Sequence, residues 1–180
     1  MKIGDRVRKI GLTTTAPIEV LIAAGYQPVD INNLFIASPK YHEYIEFAEK
    51  AGFPKNSCAW IKGIFGACLA HNIEEIIGIV EGDCSNTRAL LTVLEHRGVK
   101  IHAFAYPYSH ELNDVQASID RFIEHFGTTL AETEQVRRSL LPVRLLAKEL
   151  DQLTYEENRL SGWENHLEFL DPISMITGIF

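Results

Sequence analysis

Residues Ile76–Arg88 read IIGIVEGDCSNTR, and this stretch decides the fold. Ile76 to Val80 is a short, nearly continuous apolar run, the pattern of a strand buried on both faces of a parallel sheet. It stops at Glu81-Gly82-Asp83, and Cys84 follows at once. Ser85, Asn86 and Thr87 then supply short oxygen side chains of the helix-capping type, ahead of an apolar helix over Ala89–Leu94. A strand, a tight turn bearing a cysteine and a helix start thus arrive in that order. In open α/β sheets ligands bind at the carboxyl ends of strands. A thiol beside free helix N–H groups ionises more readily, and the thiolate is the form that binds metal. The plainer reading of Cys84 is a structural cysteine in a βα turn.

Working outward, Lys9–Thr15 reads as a first strand, and Pro17 sits in the first turn of a helix carrying Glu19. Ile18, Leu21 and Ile22 give that helix an apolar stripe, and Gly25 ends it. Pro28–Ile36 reads as a second strand, with a turn or bulge expected around Asp30, Asn32 and Asn33 because buried asparagines need partners. Pro39–Gly52 is an amphipathic helix, and Cys58 opens a further helical stretch, AWIKGIFGACLAHN. There Gly63 and Gly66 weaken the helix but allow close backbone approach, and Cys68 is expected in the core. Lys100–Tyr106 is another strand. Glu111–Phe126 has one apolar face formed by Leu112, Val115, Ile119, Phe122, Ile123 and Phe126. Thr129–Leu153 is rich in helix formers, with Pro142 expected to kink or divide it. The end carries an apolar set, Ile173, Met175, Ile176, Ile179 and Phe180, that predicts association with a partner.

The alternation of strands and helices predicts an α/β fold, a small parallel Rossmann- or flavodoxin-like sheet flanked by helices with a helical C-terminal extension. The expected division is residues 1–128 for the α/β part and 129–180 for the extension, the latter as the start of a second domain. The chain's 180 residues, 46% hydrophobic and 23% charged, suit a globular core. A net charge of -7 argues against nonspecific nucleic-acid binding, and no apolar run approaches the length of a membrane span. The start lacks a secretory apolar core, and an odd count of three cysteines suits a reducing cytoplasm.

Cys58 and Cys84 lie 26 residues apart, each opening a helix. Two cysteines make half of a tetrahedral sulfur site for zinc or an iron–sulfur cluster, and unrelated thiols are the alternative. Glu19, Asp30, Glu81 and Asp83 are carboxylates near segment ends that could serve as acid or base. His71, His96 and His125 sit near helix C-termini, where the dipole accounts for them. There is no GxGxxG, P-loop, HExxH or GxSxG pattern.

The segments GLTTTAPIEVLIAAGYQPVDINNLFI, SCAWIKGIFGA and IIGIVEGDCSNTRALL, with FAYP after them, resemble the amino-terminal part of the 2-hydroxyacyl-CoA dehydratase family. That family includes the 2-hydroxyglutaryl-CoA dehydratase D-component, benzoyl-CoA reductase subunits and double-cubane-cluster reductases. The similarity runs from about Lys9 to Gly162. It implies stacked Rossmann-like domains and an iron–sulfur cluster, most often 4Fe-4S, held in part by Cys58 and Cys84. It also implies a third cluster cysteine in a later part that these 180 residues do not contain, so that the site in this chain alone is expected to be incomplete. Cys68 does not match that position.

The implied reaction is a radical dehydration. A separate ATP-hydrolysing activator, itself an iron–sulfur protein, would deliver one low-potential electron to the cluster. A 2-hydroxyacyl-CoA would then expel its hydroxyl through a ketyl radical. Glu19 is the candidate pocket acid or base, and glycine at Gly82 would let the backbone approach a bulky cluster. The implied partners are the activator, a homologous second subunit or second copy, and a CoA thioester. The alternatives are an ATP-dependent double-cubane reductase of a small molecule and a non-catalytic α/β scaffold or interaction domain.

Overall fold

The computed structural model describes residues 8–165. Four strands, β1 (Arg8–Leu12), β2 (Tyr26–Asp30), β3 (Glu75–Glu81) and β4 (Lys100–Ala105), form one sheet in the order β2-β1-β3-β4. Every pairing is parallel, with Leu12 opposite Asp30 and Ile77, and Ile77 opposite His102. The order matches the flavodoxin-like half of the expectation. Pro28 is accommodated because β2 is an edge strand, where a missing N–H need not break a ladder.

Helices cover both faces. On one side α2 (Ile31–Ile36), α3 (Tyr41–Lys50), α4 (Ala59–Ala70) and α5 (Ser85–His96) enclose a core of Ile31, Phe35, Phe65, Ile76, Leu90 and Leu94. On the other, α1 (Ile18–Ala23), α6 (Leu112–Phe126) and α7 (Leu130–Tyr155) cover Ile10, Leu12, Ile77, Ile79 and Phe104. The apolar run of β3 is thereby explained: Ile76 faces one core while Ile77 and Ile79 face the other.

Several expectations are corrected. Pro28–Ile36 is not one strand, and the turn expected within it falls at Asp30. The carboxylate of Asp30 accepts the Asn32 N–H at 2.8 Å and caps α2, so the chain turns from strand to helix at that residue. Helix α5 begins at Ser85 rather than Ala89, because Cys84 takes the N-cap position and the short oxygen side chains lie inside the first turn. Leu112 does not join the buried face of α6 but is 79% exposed: it is the first residue of the helix, and the buried positions, Ser118, Phe122 and Ile123, begin about two turns later. Pro142 does not divide α7, which runs unbroken from a capping box formed by Thr129 and Glu132. The apolar residues 173–180 lie outside the described residues.

Gly66 does allow the close approach expected of it: a Cβ there would run into the backbone carbonyl of Tyr44 in α3. Cys68 is fully buried beside it, and burial pushes its thiol up to about 12. No helix among the described residues is long and apolar enough to cross a membrane.

Candidate functional site at the carboxyl edge of the sheet

Strands β1 and β3 are neighbours, yet their connections leave toward opposite faces: α1 packs on one core and α5 on the other. Such a switch point opens a crevice at the carboxyl ends of the strands. Helix α4 immediately precedes β3 and returns against it, while α5 immediately follows it, so the amino ends of both helices lie at that edge. Cys58 is the N-cap of α4 and Cys84 the N-cap of α5. Both are exposed free thiols, and neither makes a side-chain cap bond. The unsatisfied N–H groups and dipole of a helix start favour an anionic group there.

A set of tertiary hydrogen bonds builds this edge. Trp60, two residues into α4, donates its indole N–H to Asn32 Oδ1 at 2.7 Å. The Asn32 amide in turn donates to the carbonyl of Thr13 at the end of β1 (2.9 Å) and to Asp30 Oδ1 (2.9 Å). This chain ties the Cys58 helix start to β1 and β2, and it gives the asparagine the partners its position requires. On the Cys84 side, Arg88 Nε donates to the Val80 carbonyl at 2.7 Å, with Nη2 on the same oxygen. Thr87 Oγ1 donates to Asp83 Oδ2 at 3.1 Å, and Glu81 accepts the Tyr108 N–H at 2.9 Å. Gly82 adopts a left-handed φ of 85°, and a Cβ there would meet Tyr106 Cβ at 2.7 Å. The space gained by this glycine is therefore taken by Tyr106, not left open beside Cys84.

Glu19 lies in the first turn of α1, also at this edge. Its Oε1 is 2.6 Å from Nη1 of Arg144 in α7, with the two side chains 15% and 21% exposed. Tyr106, which donates to the Thr15 carbonyl at 3.1 Å, is raised above the usual phenol range by burial and by the Glu19 charge. The topology thus collects Glu19, Cys58 and Cys84 on one edge of the sheet, together with Asp30, Glu81 and Asp83. His71, His96 and His125 lie at the opposite ends of their helices.

Among the described residues no group of three or more histidines, cysteines or carboxylates is arranged to hold a metal ion. The donor set is two exposed thiols on helix starts, which suits two thiolate positions of a sulfur-ligated centre and supplies no more than that. Sequence reasoning did not single out Asn32 with Trp60, Arg88, Tyr106 or Arg144 as parts of this edge. The local signals were Asn32, an asparagine in an apolar segment that needs partners, and Trp60, a large indole two residues from Cys58 that ends 44% exposed.

Comparison with curated proteins gives no match. A family model described as 2-hydroxyglutaryl-CoA dehydratase, D-component, matches residues 13–162, most of the chain and every element that builds this edge after β1. The chain belongs to the 2-hydroxyglutaryl-CoA dehydratase D-component family.

Proposed function

We propose that this chain is an iron–sulfur subunit, or the amino-terminal part of one, of an enzyme that dehydrates 2-hydroxyacyl-CoA thioesters after ATP-dependent activation. One observation carries the reading: within a chain matching the D-component family, Cys58 and Cys84 are both exposed N-caps at the carboxyl edge of one sheet. Cys58 and Cys84 would hold the cluster as two of its thiolate ligands, with the other ligands coming from outside the described residues. Such a cluster supplies low-potential one-electron chemistry when bound.

The remaining roles fall to this chain's own residues. Asn32, Trp60 and Arg88 hold the two helix starts in place. Arg144 orients the Glu19 carboxylate, which is the candidate for moving or holding a substrate proton at the edge of the crevice. A homologous second subunit and an ATP-hydrolysing activator are the proposed protein partners. Leu141, Leu145 and Leu146 on α7 are 41%, 58% and 61% exposed, which supports an assembly role for the extension beginning at residue 129.

The test is iron and acid-labile sulfide per chain in protein prepared anaerobically together with its homologous second subunit, which can supply the remaining ligands, beside a Cys84→Ala control. Bound iron with matching sulfide, lost in the control, is the expected result. Absence of iron in both, with the fold intact, would remove the cluster-subunit reading and leave a scaffold domain.

A further inference from the structure

Helix α4 is apolar and buried for most of its length, and one residue breaks the pattern. Lys62 is 3% exposed, and among the described residues it is the only lysine, arginine or carboxylate in the buried class. Its neighbours Ile61, Gly63, Ile64 and Phe65 are all buried. A hydrocarbon would fill the same volume without the several kcal/mol of desolvation that a buried ammonium costs. The lysine must therefore be read through what its ammonium grips.

It grips two things. Nζ is 2.7 Å from Oε1 of Glu49 in α3 and donates to the carbonyl of Lys55 at 3.0 Å. Lys55 lies in the α3–α4 connection, three residues before Cys58. The intervening turn is closed on the Pro54 carbonyl by the N–H of Ser57 at 3.0 Å and its hydroxyl at 2.5 Å. On the other side of the cysteine, the backbone N–H of Lys62 donates to the Cys58 carbonyl at 3.2 Å. One residue thus holds the chain upstream of Cys58 with its side chain and downstream with its main chain. The thiol makes no cap bond, so this backbone is what fixes the direction of its Cα–Cβ bond.

We propose that Lys62 is a positioning residue for Cys58: its buried ammonium clamps the backbone of residues 55–58 and fixes the direction in which the thiol projects. The consequence for metal ligation rests on the cysteine-ligand reading above, whereas the clamp itself does not. A ligand placed by a rigid shell binds a metal more tightly than one on a free loop.

The test uses the full chain with a nitroxide label on Cys58, in a Cys84→Ser background, and on Cys84, in a Cys58→Ser background. Lys62→Met keeps the volume and removes the ammonium. Glu49→Gln removes the charge partner but keeps an acceptor, and it serves if Lys62→Met does not fold. The expected result is a severalfold faster nitroxide tumbling at Cys58 in Lys62→Met, a smaller change in the same direction in Glu49→Gln, and an unchanged spectrum at Cys84. An unchanged Cys58 label in a folded variant, or equal loosening at both sites, would overturn the clamp. Iron content, measured on the same variants with both cysteines restored, separates the two claims. A wild-type chain that holds no iron even beside its second subunit ends the ligand reading, and the label spectra still decide on the clamp.

Discussion

His102 Nδ1 stands 2.7 Å from His125 Nε2, and the other nitrogen of His102 lies 2.9 Å from Oε2 of Glu75. The three residues come from β4, α6 and β3, at the edge of the sheet away from the cysteines. A carboxylate can only accept, so His102 Nε2 carries a hydrogen, and the two imidazoles share one proton between Nδ1 and Nε2.

Burial lowers His102 below the ordinary histidine value, against the opposing bond to Glu75, with Lys100 and His125 adding to the lowering. Above about pH 6.5 both folded and unfolded forms are neutral and the shift contributes nothing. As pH falls below that value the unfolded imidazole takes up a proton that the folded one resists, so stability declines. Urea unfolding between pH 8 and pH 5 should show this fall. His102→Gln should flatten it, and an equal slope in the variant would dismiss His102 as the source.

Glu75 behaves oppositely. Burial pushes its carboxyl up, but hydrogen bonds from Arg8 and His102 and the charge of Lys100 outweigh this and hold it at about 2. Its contribution is present above the unfolded value near 4.5 and is lost as pH falls from there toward about 2. Glu75→Gln should therefore be less stable than wild type at pH 7, with the difference shrinking in acid. A gap that stays constant from pH 7 to pH 3 would contradict the assignment.

The three cysteines should separate by reactivity. Cys58 and Cys84 are exposed, whereas Cys68 is fully buried with its thiol pushed up to about 12. A thiol reagent at pH 8 should modify two cysteines quickly in the native protein and the third only on unfolding. Fast modification of all three under native conditions would mean that the packing around α4 is looser than described.

The Glu19–Arg144 pair joins α1 to α7 at 2.6 Å with both side chains mostly buried. Removing either partner alone should cost about 1–3 kcal/mol, and a double-mutant cycle with Glu19→Ala and Arg144→Ala should return a coupling of about 1–2 kcal/mol. If Glu19 also serves the crevice, Glu19→Gln should lower activity more than it lowers stability. Proportionate losses would assign it to the helix contact alone.

Gly66→Ala tests the α3–α4 approach. Alanine is the better helix former by about 1 kcal/mol, yet its Cβ would collide with the Tyr44 carbonyl. We expect a net destabilisation of about 1–3 kcal/mol in thermal unfolding. A stabilised variant would show that the helices can move apart freely.

What the sequence determined by itself is the set of features written in local periodicity. The apolar run Ile76–Val80, the turn at Gly82 and Cys84, the one-sided face of α6 through Phe122 and Ile123, and the glycine ending α1 all depend on residues within a few positions of one another. They specified an alternating α/β chain and placed Cys58 and Cys84 at helix starts.

What only the tertiary structure decided depends on residues far apart in the chain. Asp30 could end a strand or sit within one until Asn32 found the Thr13 carbonyl 19 positions away. Leu112 has the periodicity of a buried residue, but it opens the helix and stays exposed, while burial begins only at Ser118. His102 and His125, Glu19 and Arg144, and the single ammonium of Lys62 gain their roles from partners on other elements. Spacing along a helix or strand tells which way a side chain faces relative to its neighbours. Which polar group waits there is decided when the faces pack, because a buried charge or hydrogen-bonding group settles only where a complementary one meets it.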